Sequence, residues 1–378
     1  MLEPSKFFSL LEENEVEFFT GVPDSLLKYF CAYVTDNVSE EDHIIAANEG
    51  NAIGVAAGYH LATGKIPLVY MQNSGMGNAT NPLLSLVDEE VYEIPVLLMI
   101  GWRGEPGVKD ACQHIKQGKI TRELLDTMEI PNHVLPEDIL EAKGLIEEIV
   151  EGMKEDGKPR ALVVRRGTFS EYTLGEEDEV RCEMSREEAI EQMLKSVGRE
   201  SGENLVVSST GKISRELYEV RERLGQGHEK DFLMVGSMGH ASQIALGVAL
   251  KNEDKQVVCM EGDGSLIMHM GGLATISLNE VTNFKHVILN NCAHDSVGGQ
   301  PTAAPVVDFQ KIAEGAGYRK VMMAERSAEL EEKMKELLAC EGPALLEVRV
   351  EKGAREDLGR PDVEPLDRKK MFMDFLQD

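Results

Sequence analysis

The sequence predicts an α/β protein built as two doubly wound, parallel-sheet domains, and three observations carry that prediction. Strands alternate with helices along nearly the whole chain. The strands are apolar runs, such as IPVLLMIGW at 94–102, without the alternation of a sheet that wets one face, so both faces lie under helices. One polar, acidic and aperiodic stretch, SEYTLGEEDEVR at 170–181, divides the chain into halves of similar size. We place the first domain at 1–169, the linker at 170–184 and the second domain at 185–378.

Residues 4–14 set Phe7, Phe8, Leu10 and Leu11 at helical spacing. The strand VEFFTG follows and ends in the turn Gly21-Val22-Pro23-Asp24-Ser25, before the helix LLKYFCAYV. HIIAAN then runs through Glu49-Gly50-Asn51 into a small-residue helix that stops near Gly64. IPLVYMQ ends in the glycine-rich turn 73–78, and the next helix carries Pro82 in its first turn, where a missing N–H is harmless. The strand 94–102, a loop through residue 122, a charged amphipathic helix over 137–155 and the strand RALVVRR close the domain.

The second series opens at Ser185, where Ser-Arg-Glu-Glu has the form of a capping box. A helix, the strand ENLVVSS, the turn Thr210-Gly211-Lys212 and a further helix lead to DFLMVGSMGHA and another small-residue helix. QVVCM ends in Gly262-Asp263-Gly264 and KHVILN ends in Asn290-Asn291, with a helix-length segment between them. A helix near 308–317, the strand PALLEVRV and a charged tail from Glu351, read as a terminal helix or arm, complete the chain.

A formal charge of −28 with no basic block argues against nucleic acid or an anionic membrane as the main partner, and any anionic substrate needs a local cationic pocket. The six cysteines are scattered without a CxxC pair, as expected of reduced thiols and not of a disulfide framework or zinc site. The acid-interrupted N-terminus lacks a signal-peptide core and no run of about 18 apolar residues is present, so a soluble, cytoplasmic protein is expected.

Ligands of open parallel sheets sit beyond the carboxyl ends of the strands, where every unusual turn above falls. Asp263 and Asn291 bring side-chain oxygens suited to a hard divalent cation such as Mg²⁺, which keeps positions for water and phosphate. Each alone is explained as a turn former; with Gly262, Gly264 and Ser265, which let backbone approach a phosphate, we read a metal–diphosphate site. Gly211, Lys212, Gly236 and Ser237 lie in turns that open helices, either as caps or as a diphosphate cradle. Five cations, Arg103, Lys109, Lys116, Lys119 and Arg122, crowd residues 101–122; they are salt-bridge partners in an acidic chain or an anion pocket, for which Arg offers a bidentate fork.

GDGS, a helix and NN, with 28 positions from Asp263 to Asn291, resembles the metal–diphosphate motif of thiamine diphosphate (ThDP) enzymes. TGK at 210–212 and GSMG at 236–239 fall upstream in that family's order. Nearly end to end, the chain is similar to the phosphonopyruvate decarboxylase family, in GVPDSLL (21–27), QNSGMGNATNPL (72–83), IGWRGEPGVKD (100–110), QHIKQGKIT (113–121) and AHDSVGGQPT (293–302). It departs at Ala111-Cys112, where an acidic residue and proline are expected beside the substrate loop. The halves leave no room for the middle domain of larger ThDP decarboxylases.

The resemblance implies a pyrimidine-binding domain followed by a diphosphate-binding domain, with ThDP and Mg²⁺ as cofactors. Asp263, Asn291 and the carbonyl of Ala293 would hold the metal; Gly211, Lys212, Gly236, Ser237, Gly262, Gly264 and Ser265 would meet the diphosphate. Met238, by default a core filler, becomes the wedge that bends the cofactor, and Gly75 and Asn78 line its pyrimidine. SGMGN lacks the Lys-Ser/Thr of a nucleotide loop. Glu49, otherwise a first-turn acid favoured by the helix dipole, hydrogen-bonds the aminopyrimidine and raises the imino tautomer whose nitrogen removes the thiazolium C2 proton. Asp24, His114 and His294, ordinarily a cap and surface histidines, are candidates for proton transfer once CO₂ leaves. Ser25, Arg103 and Lys109 would bind the substrate's anionic head. The expected reaction converts 3-phosphonopyruvate to phosphonoacetaldehyde and CO₂ in phosphonate biosynthesis, in a homo-oligomer with active sites between subunits. Sulfopyruvate decarboxylation, carboligation and a non-catalytic ThDP scaffold are the alternatives.

Overall fold

A computed structural model describes residues 1–175, 182–199 and 204–377. The most acidic part of the expected linker, 176–181, lies outside the described residues. The chain forms two compact units, Met1–Glu177 and Asp178–Asp378, each around a six-stranded sheet.

The first sheet comprises β1 (Phe19–Gly21), β2 (His43–Ile45), β3 (Leu68–Gln72), β4 (Leu97–Gly101), β5 (Asn132–Val134) and β6 (Arg160–Val164). Its order is β2-β1-β3-β4-β6-β5, with every pairing parallel. The chain steps from β1 to β2 on one side and then to β3 on the other, so β1 and β3 flank a topological switch point. All of β4 and all of β3 except Gln72 are buried, as their unbroken apolar runs predict. One face packs an aromatic core around Phe7, Phe30 and Tyr70. On the other, Ala52, Ala56 and Ala57 of the helix Glu49–Thr63 pack with Met71 and Ile100.

The second sheet comprises β7 (Leu205–Ser208), β8 (Asp231–Leu233), β9 (Val257–Gly262), β10 (Phe284–Asn290), β11 (Lys320–Ala324) and β12 (Ala344–Arg349). Its order, β11-β12-β10-β9-β7-β8, is again wholly parallel. Read from its other edge it repeats the first sheet strand for strand, and the switch point falls between β7 and β9. The fold class read from the sequence is therefore the observed one.

Local differences have physical causes. Residues 112–122, expected as loop, belong to the helix Cys112–Thr127. Its buried stripe is His114, Gly118, Thr121 and Leu125, helically spaced but polar or small, so hydropathy does not register it. The helix carrying Pro82 starts at Met76, which puts the proline well inside it instead of in its first turn. The segment after Asp263 is two short helices, Asp263–Met268 and Gly272–Leu278. Strands β5 and β11 carry too few buried residues to stand out in the sequence. The tail does form a helix, Pro365–Gln377. No helix among the described residues is long and apolar enough to cross a membrane.

Candidate active site

In the first unit, two clusters form at the carboxyl ends of the strands. Asn48 caps the helix Glu49–Thr63 by accepting from the N–H of Asn51, and this places Glu49 in the first turn. Glu49 is buried, at 5% exposure, and Asn78 Nδ2 donates to its Oε2 at 2.7 Å. Gly75 is the reason the carboxylate fits: a Cβ there would lie 2.2 Å from Oε1. Glu49, Gly75 and Asn78, which are 29 residues apart at the extremes, thus meet as one group.

The second cluster joins the ends of β1 and β4. Asp24 is fully buried, its Oδ2 accepting from the N–H of Leu26 at 2.7 Å, while Oδ1 has no hydrogen-bond partner among the described residues. Burial pushes its pKa up, against the pull of backbone N–H groups and Arg103. Gly101 makes the space, since a Cβ there would lie 2.2 Å from Asp24 Oδ2. Ser25 accepts from Arg103 Nη1 at 2.8 Å. The fork of Arg103 closes on Asp110, Nε to Oδ2 at 2.8 Å and Nη2 to Oδ1 at 2.6 Å, so its bidentate face is engaged inside the protein. The Arg103 hydrogen bond holds the Asp110 carboxyl well below the usual range. Lys109, Lys116 and Lys119 are exposed, with no ion-pair partner among the described residues, and Arg122 donates to Asn132. His114 is buried where the helix Cys112–Thr127 crosses Gly104.

In the second unit, β9 and β10 are neighbours with Gly262 opposite Leu289, which sets Asp263 beside Asn290 and brings the backbone N–H of Asn291 to the Asp263 carboxylate. Asp263 is 1% exposed. Burial raises its pKa to about 6, opposed by the Thr302 hydroxyl and the backbone N–H groups of Asn291 and Gly264. No cationic side chain is among those partners. Asn291 Oδ1 accepts weakly from the N–H of Ala293 at 3.2 Å, and its Nδ2 donates to Asp295 at 2.7 Å. Residues 292–302 fold back on themselves, pairing Ala293 with Pro301. This brings Thr302 to Asp263 and packs the His294 ring against Gly264, where an added Cβ would lie 3.1 Å from His294 Cε1. Burial lowers the His294 pKa to about 4, which favours the neutral ring.

Left-handed residues mark two of the glycine turns. Gly211 has φ 101° and precedes the helix Lys212–Arg223. Lys212, half-buried at its start, is attracted to Asp295 and Glu216 while burial lowers its pKa. In the turn 236–239, Ser237 and Gly239 adopt φ 54° and 85°, with half-buried Met238 between them. Ser265 ties this turn to the next one: its hydroxyl accepts from the N–H of Gly239 at 3.1 Å and donates to Glu261 at 2.6 Å. Glu261 continues to His286 Nε2 at 2.8 Å, and His286 Nδ1 to Tyr318 at 3.0 Å. Cys259, Glu261 and His286 lie close enough to hold a metal, but Glu261 and His286 are satisfied by these bonds. We read them as a buried brace.

The all-oxygen set of Asp263 carboxylate, Asn291 carboxamide and Ala293 carbonyl would suit a hard divalent ion, and among the described residues no cationic side chain pairs with the buried Asp263 carboxylate. Thr302, Asp295, Glu261 and Asp110 escaped the sequence reading. The first two lie within AHDSVGGQPT, which marked the region without assigning them roles.

Family models match both units in turn. Residues 5–130 match the thiamine pyrophosphate enzyme, N-terminal TPP binding domain. Residues 209–348 match the thiamine pyrophosphate enzyme, C-terminal TPP binding domain. Fold and matches define the class as a thiamine diphosphate-binding enzyme. The chain is 34% identical to a phosphonopyruvate decarboxylase of Streptomyces viridochromogenes, over 94% of this chain and 90% of that one. It is 33% identical to a phosphonopyruvate decarboxylase of Streptomyces hygroscopicus, over 100% and 95%. A sulfopyruvate decarboxylase of Methanosarcina acetivorans is 27% identical over 83% and 82%. The chain belongs to the phosphonopyruvate decarboxylase family of thiamine diphosphate-dependent enzymes, and it is a 2-keto acid decarboxylase.

Proposed function

We propose that the enzyme converts 3-phosphonopyruvate to phosphonoacetaldehyde and CO₂, with ThDP anchored through Mg²⁺, as a step of phosphonate biosynthesis. The observation that carries the substrate is the near end-to-end similarity to two phosphonopyruvate decarboxylases, with lower identity and coverage for the sulfopyruvate enzyme.

When bound, ThDP supplies a nucleophilic carbon for the keto group and a cationic ring that takes the electrons as CO₂ departs. The protein's residues do the rest. Asp263, Asn291 and the Ala293 carbonyl would hold Mg²⁺, and the turns at Gly211, Lys212, Gly236, Ser237, Gly262 and Gly264 would meet the diphosphate. Ser265 contributes by bracing two of those turns. Met238 supports the cofactor's bend. Glu49 holds a proton at the aminopyrimidine, its carboxylate fixed by Asn78 and seated over Gly75. Asp24, with its raised pKa and an unpartnered oxygen, is suited to keep a proton and deliver it to the product carbon. His294 and His114 are secondary candidates for proton transfer. Ser25, Lys109 and the remaining N–H groups of Arg103 are assigned to the phosphonate. The working form is a cytoplasmic homo-oligomer.

The test is kcat/KM on 3-phosphonopyruvate and sulfopyruvate with ThDP and Mg²⁺ present, following CO₂ and aldehyde. Preference for the phosphonate supports the assignment; equal or better turnover of sulfopyruvate makes the sulfonate the substrate. Supplying an acceptor aldehyde in the same assay shows whether carboligation competes.

A further inference from the structure

Asn291 can serve a cation only through Oδ1, and a carboxamide free to rotate offers its NH₂ just as readily. What prevents that is Asp295, whose carboxylate only accepts and which takes Asn291 Nδ2 at 2.7 Å. Asp295 is itself held from two other sides. Arg186 Nη1 donates to its Oδ2 at 2.8 Å, and the N–H of Gly353 reaches both oxygens at 3.0 and 3.1 Å. Arg186 is fixed by Glu216, Nε to Oε2 at 2.7 Å and Nη2 to Oε1 at 2.8 Å, and by the carbonyl of Gly353 at 3.0 Å. The three side chains are 4%, 2% and 8% exposed for Arg186, Glu216 and Asp295. One cation and two carboxylates leave a net negative charge buried behind the carboxamide, partly offset by the attraction of Lys212.

We propose that Asp295 is a positioning residue that fixes the carboxamide of Asn291 with its oxygen toward the cation, and that Arg186 and Glu216 hold Asp295 in place. The inference rests on the reading of Asp263, Asn291 and Ala293 as metal ligands. Partners of this kind orient ligand groups in metal sites generally, and their loss costs about 10–100-fold in metal affinity. Asp295 does not touch the reacting atoms.

The test is Mn²⁺ binding to the full-length protein in the presence of ThDP, read from the electron paramagnetic resonance signal of free Mn²⁺. Asp263→Ala comes first: if it leaves Mn²⁺ affinity unchanged, the metal reading itself fails and the question of Asp295 lapses with it. Given loss of binding there, Asp295→Asn is expected to raise the Mn²⁺ dissociation constant at least about 10-fold, with activity recovering at saturating metal. Asn291→Asp alone sets two carboxylates face to face and is also expected to bind weakly. The exchanged pair, Asn291→Asp with Asp295→Asn, restores one donor against one acceptor, so its affinity is expected to return to within a few-fold of wild type. A purely structural role predicts no such rescue, and melting temperatures of the same variants separate stability from binding. An unchanged dissociation constant in Asp295→Asn, or an exchanged pair no better than the worse single variant, overturns the proposal.

Discussion

The two units are copies in topology and opposites in chemistry. Each sheet carries the same strand order with its switch point between corresponding strands, β1 and β3 in one, β7 and β9 in the other. Beyond those strands, the first unit holds two buried acids seated over glycines, Glu49 and Asp24, the latter with an oxygen that has no hydrogen-bond partner among the described residues. The second unit is built differently there. Its turns have left-handed residues, its metal-ligand candidates are bonded from behind, and a chain of hydrogen bonds from Gly239 to Tyr318 braces them. Under the proposed function, one sheet design presents an anchoring edge in the second unit and a reactive edge in the first, set by the residues following each strand.

That division of labour can be broken from either side. The largest effect is expected on the anchoring side: Asp263→Ala should lower metal affinity at least about 100-fold and abolish Mg²⁺-dependent ThDP binding, measured by calorimetry. Retained binding would mean the second unit does not anchor through this residue. On the reactive side, Asp24→Asn should lower kcat about 100-fold while the dissociation constant of ThDP stays within a few-fold; a matching loss of cofactor binding would put Asp24 among the anchors. Gly75→Ala forces a methyl group into the Glu49 carboxylate. It should cost about 1–3 kcal/mol of stability and roughly 10-fold in kcat, whereas wild-type values would show that Glu49 needs no such seat.

The smallest effect sharpens the comparison away from the site. His43 on β2 shares a hydrogen bond with Tyr70 at 2.8 Å, and burial lowers its pKa to about 4. An unfolded chain takes up this proton near pH 6.5 and the folded one only near 4. Stability from His43 is therefore complete above pH 6.5 and falls as pH drops through that window, by up to about 3 kcal/mol. Chemical denaturation of His43→Gln should show a flatter profile between pH 7 and 4 than wild type; parallel profiles would refute the assignment.

The fold was legible because the central strands are buried on both faces and so are written as apolar runs. What hid were elements whose burial is not apolar. The helix Cys112–Thr127 buries a histidine, a glycine and a threonine, and β5 and β11 are half-covered edge strands. At the site, Asp263, Asn291 and Glu49 stood out because they follow strands at recognisable spacing. Contacts that depend on the chain folding back, such as Thr302 on Asp263 or Asp110 on Arg103, leave no periodic trace. The engagement of Arg103 by Asp110 could not be seen from charge alone, and it shifts attention for the anionic head toward Ser25 and Lys109.

The claim that the first unit activates the cofactor while the second anchors it is tested most directly by hydrogen–deuterium exchange at C2 of bound ThDP, followed by NMR in wild type and Glu49→Gln. The account predicts exchange slowed at least about 100-fold in the variant, with ThDP and Mg²⁺ bound within a few-fold of wild-type affinity. Exchange at the wild-type rate in a fully loaded Glu49→Gln enzyme would contradict it.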